Sequence, residues 1–514
     1  MSGDLAALAR SVIAVGFTGG SVADAPLAEL RAFGPGACLL FARNVAAPAD
    51  LRALIAELRT IGDVPPLIAV DQEGGRVARI GPPVAAVPSA MAIGATGDTG
   101  LCERIGLLLG RDLAALGVSV DFAPVADLAV FAENTVIGTR SFGSEAHVVA
   151  RFVGAFARGL ERGGVAAAVK HFPGHGSTAG DSHVMLPHVT VDAATLRTRD
   201  LVPFAAAISS EAASIVMSTH VVVDALDAGV AATLSPRILT GLLREELGFD
   251  GVVATDCLEM DAIGAVGGTV AAAVKALAAG ADLLLVSHSL ELARAAADAI
   301  VAAVNEGRVP AARLEDAARR VRALRDDVAA RAPYAGDVDA GAPLAAAQRA
   351  VTVIRGDVRL RAEHAVTVIS FEGRAFDGAG GRRAELPSLS AALRARRWKS
   401  EVMRVALDPD AGDLDLLLEH VPALGDRNFV IVTRRAHLHP AQRAAVDRVL
   451  AVVPDAIVVS ANEPYDLALF PQARRAAAIY GDDALAFEGC ADVLAGRVPA
   501  VGRLPVRMDD AAVR

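Results

Sequence analysis

Short runs in which consecutive residues, rather than alternate ones, are apolar recur through the first two-thirds of the chain. They are SVIAVGF (11–17), ACLLFA (37–42), PLIAVD (66–71), VSVDFAPV (118–125), VAAAVKHF (165–172), SIVMSTH (214–220), GVVATD (251–256) and ADLLLVS (281–287). Each predicts a parallel strand buried on both faces. Between them, segments such as DLRALIAELRTIG and SPRILTGLLREELG carry charges at helical spacing. Eight strands alternating with helices over roughly 300 residues predict a (β/α)8 barrel, an α/β fold.

A long helix is predicted at about 312–332, and RAPYAGDVDAGAPLAAA (331–347) reads as a connector rich in Gly, Pro, Ala and Asp. Beyond it, AVTVISF (365–371), EVMRVAL (401–407), NFVIVT (428–433) and DAIVVS (455–460) predict a smaller open α/β sheet. The expected organisation is a catalytic barrel over 1–335, a linker over 336–350 and a C-terminal α/β domain over 351–514.

Composition narrows the function classes. A chain of 514 residues, 53% hydrophobic and 21% charged, can bury two sizeable cores. With 4% aromatic content, alanine and aliphatic side chains must fill them. A net charge of -10 argues against a nucleic-acid partner, which requires a basic face. The run Arg394 to Lys399 reads as a solvated helix face. Cys38, Cys102, Cys257 and Cys490 are scattered, fitting neither a disulfide framework nor zinc-ligand spacing. The N-terminus does not read as a signal peptide, and no apolar run reaches the length of a membrane span. The expectation is a cytoplasmic protein.

Polar residues gather at one end of the apolar runs: Asp71, Lys170, His171, His220 and Asp256 sit at or just past strand C-termini. That is the face on which barrels carry their chemistry. The densest cluster is KHFPGHGSTAGDSH (170–183), whose glycines and prolines suit a loop rather than a core. Within it, Asp181 can hydrogen-bond one ring nitrogen of His183, fixing the tautomer and raising the basicity of the imidazole. The bland alternative is a loop-ordering pair. Asp256, past a buried strand, is either a nucleophilic carboxylate or a helix N-cap. Asp71, Arg79, Arg140, Lys170 and His171 supply the acceptors and cations that sugar hydroxyls call for. Arg76 fits that set or a surface ion pair equally. A metal site built on His171, His175, Asp181, His183 and His188 is disfavoured, because Pro173-Gly174 breaks any helical pairing and Lys170 would repel a cation. His175 and His188 are expected to be loop hydrogen-bonders.

Together these segments resemble glycoside hydrolase family 3, in its β-N-acetylglucosaminidase branch. The resemblance rests on VDQEGGRV (70–77), NTVIGTRSFG (134–143), KHFPGHG (170–176), DSH (181–183), VMSTHV (216–221), ATLSP (232–236) and TDCLEM (255–260), in the family's order. It covers most of residues 1–330, and the remainder resembles the α/β-sandwich domain that many members append. Departures are small: Thr135 stands where proline is common, and Ser177-Thr178-Ala179 varies.

The resemblance implies a TIM-type barrel followed by a sandwich domain. It implies that Asp256 is the nucleophile, His183 the acid/base and Asp181 its partner, with Asp71, Arg79, Arg140, Lys170 and His171 gripping the non-reducing sugar. The implied activity is a retaining, cofactor-independent exo-β-N-acetylglucosaminidase acting on muropeptides or related oligosaccharides, in cell-wall recycling. Placing the acid/base on a Gly-rich loop implies that it swings in over bound sugar. Three alternatives stay open at this level: a phosphorylase using the same residues, a β-glucosidase or xylosidase of the same family, and a sugar-binding relic without activity.

Overall fold

The computed structural model describes residues 2–178, 186–264, 267–332, 334–373, 376–377, 381–382 and 387–508. All eight predicted barrel runs form strands: β1 (Ile13–Gly16), β2 (Ala37–Leu40), β3 (Leu67–Val70), β4 (Val120–Asp121), β5 (Ala166–Phe172), β6 (Ile215–Ser218), β7 (Val252–Ala254) and β8 (Leu284–Val286). They pair in parallel in the order β7-β6-β5-β4-β3-β2-β1-β8. A parallel bridge from Ala254 to Leu283 all but closes the ring between β7 and β8.

The pleat explains why the runs are apolar at every position. Leu39, Ala69, Ala168, Met217, Ala254 and Leu285 share one buried layer, the barrel interior. Their strand neighbours Leu40, Val70, Val169, Val216, Val253 and Val286 belong to the layer between strands and helices. Successive side chains thus enter two different cores, which is why these strand positions are apolar on both faces. Burying each branched side chain contributes roughly 1.5–3 kcal/mol. The interior tolerates alanine because eight closely packed strands leave little volume for side chains.

The second sheet has six strands: β9 (Thr352–Arg355), β10 (Val366–Glu372), β11 (Ser400–Ala406), β12 (Asn428–Thr433), β13 (Ile457–Ser460) and β14 (Arg475–Ala478). Their order is β9-β14-β13-β12-β10-β11, with β9 antiparallel to β14 and the other pairs parallel. One face buries Ile369, Phe371, Ile431 and Val458, and the other buries Val368, Val430, Val432 and Val459. It is therefore a sandwiched α/β domain.

The first of those layers also contains Met91, Ala92, Ala95, Ala129 and Ala132 from the barrel side, so both parts share an apolar core. Within the expected connector, Ala342–Ala350 forms a helix whose Ala342, Ala346, Ala347 and Ala350 are buried. Among the described residues no helix is long and apolar enough to cross a membrane.

Candidate active site

At the C-terminal mouth of the barrel lies a cavity of about 480 Å³. Asp71, Arg79, Arg140, Lys170, His171 and Asp256 all line it, with Glu73 and His175. A larger groove of about 790 Å³ lies on the C-terminal domain, away from these residues. It holds Arg359, Arg361 and Arg427 but none of the expected chemistry.

Lys170 is the third inward-facing position of β5, after Ala166 and Ala168, which brings its side chain up through the barrel axis into the cavity. Its ammonium is 2% exposed and lies 2.7 Å from both Asp71 Oδ1 and Glu73 Oε1. Burial alone would lower the lysine, but the two carboxylates overcome that and raise it, so it stays charged.

Glu73 reaches the same place because Gly74 and Gly75, at φ 101° and 54°, turn the chain back on itself. A Cβ on Gly74 would meet the carbonyl oxygen of Pro88 at 2.6 Å. Arg140 then grips Glu73 through two bonds, Nε to Oε2 at 2.8 Å and Nη2 to Oε1 at 2.7 Å. Burial would raise Glu73, yet Arg140 and Lys170 hold it far below the usual carboxylate range. The result is a network in which the buried charges of Lys170, Glu73 and Arg140 compensate one another, with the partly exposed Asp71 joined to it through Lys170.

Arg79 stands 3.8 Å from Asp71 Oδ2. Its buried Nε has no hydrogen-bond partner among the described residues. His171 is oriented from behind by Asp127, which lies 2.6 Å from Nδ1 and accepts the His171 backbone N–H at 3.2 Å. The other ring nitrogen, Nε2, is 3.3 Å from Arg140 Nη2, an arginine donor that requires this nitrogen to accept. Asp127 also accepts the backbone N–H of His175 at 2.6 Å.

Asp256 follows β7 and is partly exposed. Its backbone N–H donates to Ser218 at 3.1 Å, and Oδ1 accepts the N–H of Cys257 at 2.7 Å. His220 is completely buried under this turn and donates from Nε2 to the Cys257 carbonyl at 2.9 Å.

Arg76 is not among the described residues that line the cavity. It is buried outside the cavity and donates to the carbonyls of Thr135, Val136 and Ile137 at 2.5, 2.8 and 3.3 Å, shaping the loop that carries Arg140. His175 hydrogen-bonds through Nδ1 with Thr178 at 3.1 Å, and His188 through Nδ1 with Asp224 at 3.0 Å. Asp181 and His183 lie outside the described residues. The flanking Thr178 and Val189 form an antiparallel bridge.

Sequence reasoning did not single out Glu73, Asp127 or Glu463. Glu73 stood inside a quoted motif, two residues from Asp71, and its place beside a glycine pair was the available signal. Asp127 follows the fourth apolar run by two residues. Glu463 offered no local signal, because it belongs to the second domain. It is buried, accepts the Thr139 N–H at 3.3 Å and pairs with Arg435 at 3.1 Å.

Residues 17–324 match the glycosyl hydrolase family 3 N-terminal domain. A β-hexosaminidase of Methylococcus capsulatus is 39% identical over 310 residues, covering 59% of this chain and 90% of that protein. A β-hexosaminidase of Pseudomonas aeruginosa is 39% identical over 283 residues, 54% of this chain and 82% of its own. The structure of a glycoside hydrolase family 3 β-N-acetylglucosaminidase from Paenibacillus sp. strain FPU-7 superposes with a TM-score of 0.91 at 35% identity, covering 98% of this chain and 99% of that one. An ionised cavity at the mouth of a barrel, and a likeness that runs through both domains, lead to one assignment: the chain belongs to glycosyl hydrolase family 3 and is a glycoside hydrolase.

Proposed function

We propose that the chain is a retaining exo-β-N-acetylglucosaminidase. The observation that carries this reading is the shared cavity wall, where Asp256 stands with the hydrogen-bonded set Asp71, Lys170, Glu73 and Arg140. Such a set presents paired charges to the hydroxyls of a terminal sugar, and about 480 Å³ is the size class of a small-ligand pocket. The names of the relatives at 39% identity support N-acetylhexosaminide as the glycone.

Asp256 attacks the anomeric carbon and forms the glycosyl-enzyme. His183, aligned by Asp181, protonates the leaving oxygen and later takes a proton from water. Asp71, Arg79, Arg140, Lys170 and His171 fix the sugar, and the loop bearing His183 closes over it. The natural substrates are terminal GlcNAc residues of muropeptides or similar oligosaccharides, cleaved in the cytoplasm during cell-wall recycling. All four cysteines are free, which fits a reducing compartment. The units fall at 1–335 and 351–514, joined over 336–350.

Turnover of a chromogenic GlcNAc glycoside tests the reading. Asp256→Ala is expected to lower kcat on the order of 10⁴-fold, and His183→Ala by about 10²–10⁴-fold. Chelator leaves the wild-type rate unchanged, and phosphate buffer yields no sugar 1-phosphate. Undiminished turnover in Asp256→Ala would overturn the assignment.

A further inference from the structure

Three side chains at the cavity wall have no part in the mechanism above. Cys257 and Glu259 follow Asp256 on the turn after β7, and His288 follows β8. One ligand atom from each, the cysteine sulphur, a glutamate oxygen and a ring nitrogen, lie within 4.8 Å of one another. We propose that Cys257, Glu259 and His288 form a binding site for a thiophilic divalent cation such as Zn²⁺ or Cd²⁺, at the edge of the substrate cavity.

The donor set is the argument. Sulphur, imidazole and carboxylate together select borderline and soft cations over Mg²⁺ or Ca²⁺, and three protein ligands leave a fourth position open. The ligands come from adjacent strand ends tied to each other. Glu259 Oε2 accepts the His288 backbone N–H at 2.6 Å, and His220 holds the Cys257 carbonyl at 2.9 Å. The His288 ring stacks on Phe41 at 5.9 Å between centroids, limiting its rotation. Access is open, since His288 is exposed and the other two are only partly buried.

Arg43 opposes the cation, being close enough to Glu259 and Cys257 to sense their charges. Its guanidinium is committed to the carbonyls of Phe17 and Ser287, and the two anionic ligands outweigh its single charge. On binding, the Cys257 thiol releases its proton to solvent and the sulphur donates a lone pair to the metal, with no redox change. A cation here sits one residue from Asp256 and withdraws charge from it. If Asp256 acts as proposed above, the bound metal is therefore an inhibitor.

The test uses the full chain, stripped with chelator and titrated with Cd²⁺ while the ultraviolet cadmium-thiolate charge-transfer band is followed. The expected result is saturation at one equivalent, loss of the band in Cys257→Ser, and affinity weakened by at least about tenfold in His288→Ala and Glu259→Gln. The remaining cysteines are buried, so they do not mimic the signal. Absence of the band in wild type, its survival in Cys257→Ser, or affinities indifferent to both other substitutions overturns the site. This reading of binding is independent of turnover, so its failure is distinguishable from failure of the assigned mechanism.

Discussion

Glu463 of the C-terminal domain approaches Gly138 of the barrel so closely that a Cβ on the glycine would lie 2.1 Å from Oε1 of the glutamate. Gly138 has φ 41°, in the left-handed region, so both its backbone and its missing side chain serve the contact. The glycine begins the turn Gly138–Arg140, whose last residue grips Glu73 in the cavity. The second domain therefore braces the loop that carries the cavity-lining Arg140. Gly138→Ala is expected to lose about 1–3 kcal/mol and to raise KM. Glu463→Ala removes the obstructing carboxylate, so the double variant should lose less than the sum of the two singles. Thermal midpoints and KM for the three proteins check this, and strict additivity would contradict it.

Arg140 and Glu73 are each 6% exposed at their side chains. Removing the arginine leaves a buried carboxylate with Lys170 alone for compensation. Arg140→Met should cost about 3–5 kcal/mol, visible as a lowered thermal midpoint. Arg140→Lys should restore little, because an ammonium cannot reproduce the two-pronged contact. Full recovery by lysine would show that charge, not geometry, matters at this position.

Acid affects two buried groups, one in a higher window than the other. Burial lowers His175 to about 4, so between its ordinary value of 6.5 and 4 only the unfolded chain takes up the proton. Stability contributed by neutral His175 is complete above about 6.5 and drains away as pH falls to 4. Burial would raise Glu463, but Arg435 and Arg76 overcome it and hold the carboxyl at about 2. Its contribution is complete above the ordinary 4.5 and is lost as pH falls towards 2. The thermal midpoint of His175→Gln should therefore vary less than wild type between pH 6.5 and 4, and that of Glu463→Gln less below 4.5. Curves parallel to wild type in both variants would refute the assignment.

Deleting residues 345–514 should not release a soluble barrel. The cut uncovers Met91, Ala92, Ala95, Ala129 and Ala132, which lie in one apolar layer with Phe371, Ile431 and Tyr465. It also removes Arg349, which pairs with Asp98 at 2.9 Å, and the Tyr480 carbonyl that Ser89 bonds at 2.6 Å. The measurement is the soluble, monodisperse fraction on size-exclusion chromatography. A well-behaved truncated barrel would show that the shared layer is dispensable.

The barrel was legible because its signal is local. Strands buried on both faces are apolar at every position, as Ile13–Gly16 and Leu67–Val70 are, and polar residues at the ends of several runs mark the mouth. Asp71, Lys170, His171 and Asp256, which line the cavity, are the residues this pattern points to, and Arg79 and Arg140, also in the lining, are pointed to by the motifs at or beside them. Two strands of the second sheet were not foreseen. Arg475–Ala478 reads RAAA, which carries no strand propensity and is held only by pairing with Thr352–Arg355 on one side and Ile457–Ser460 on the other.

The sequence by itself determined the order of strands and helices, the end of the barrel that bears the polar groups, and the family. Each of these is written in the spacing of neighbouring residues. Tertiary structure alone decided that Arg76 braces the backbone ahead of Arg140, that Asp127 stands behind His171, and that Glu463 closes on Gly138 across 325 positions of chain. The identity of a charged residue does not disclose its partner. In a buried site the partner sets the charge state, and folding alone brings the two together.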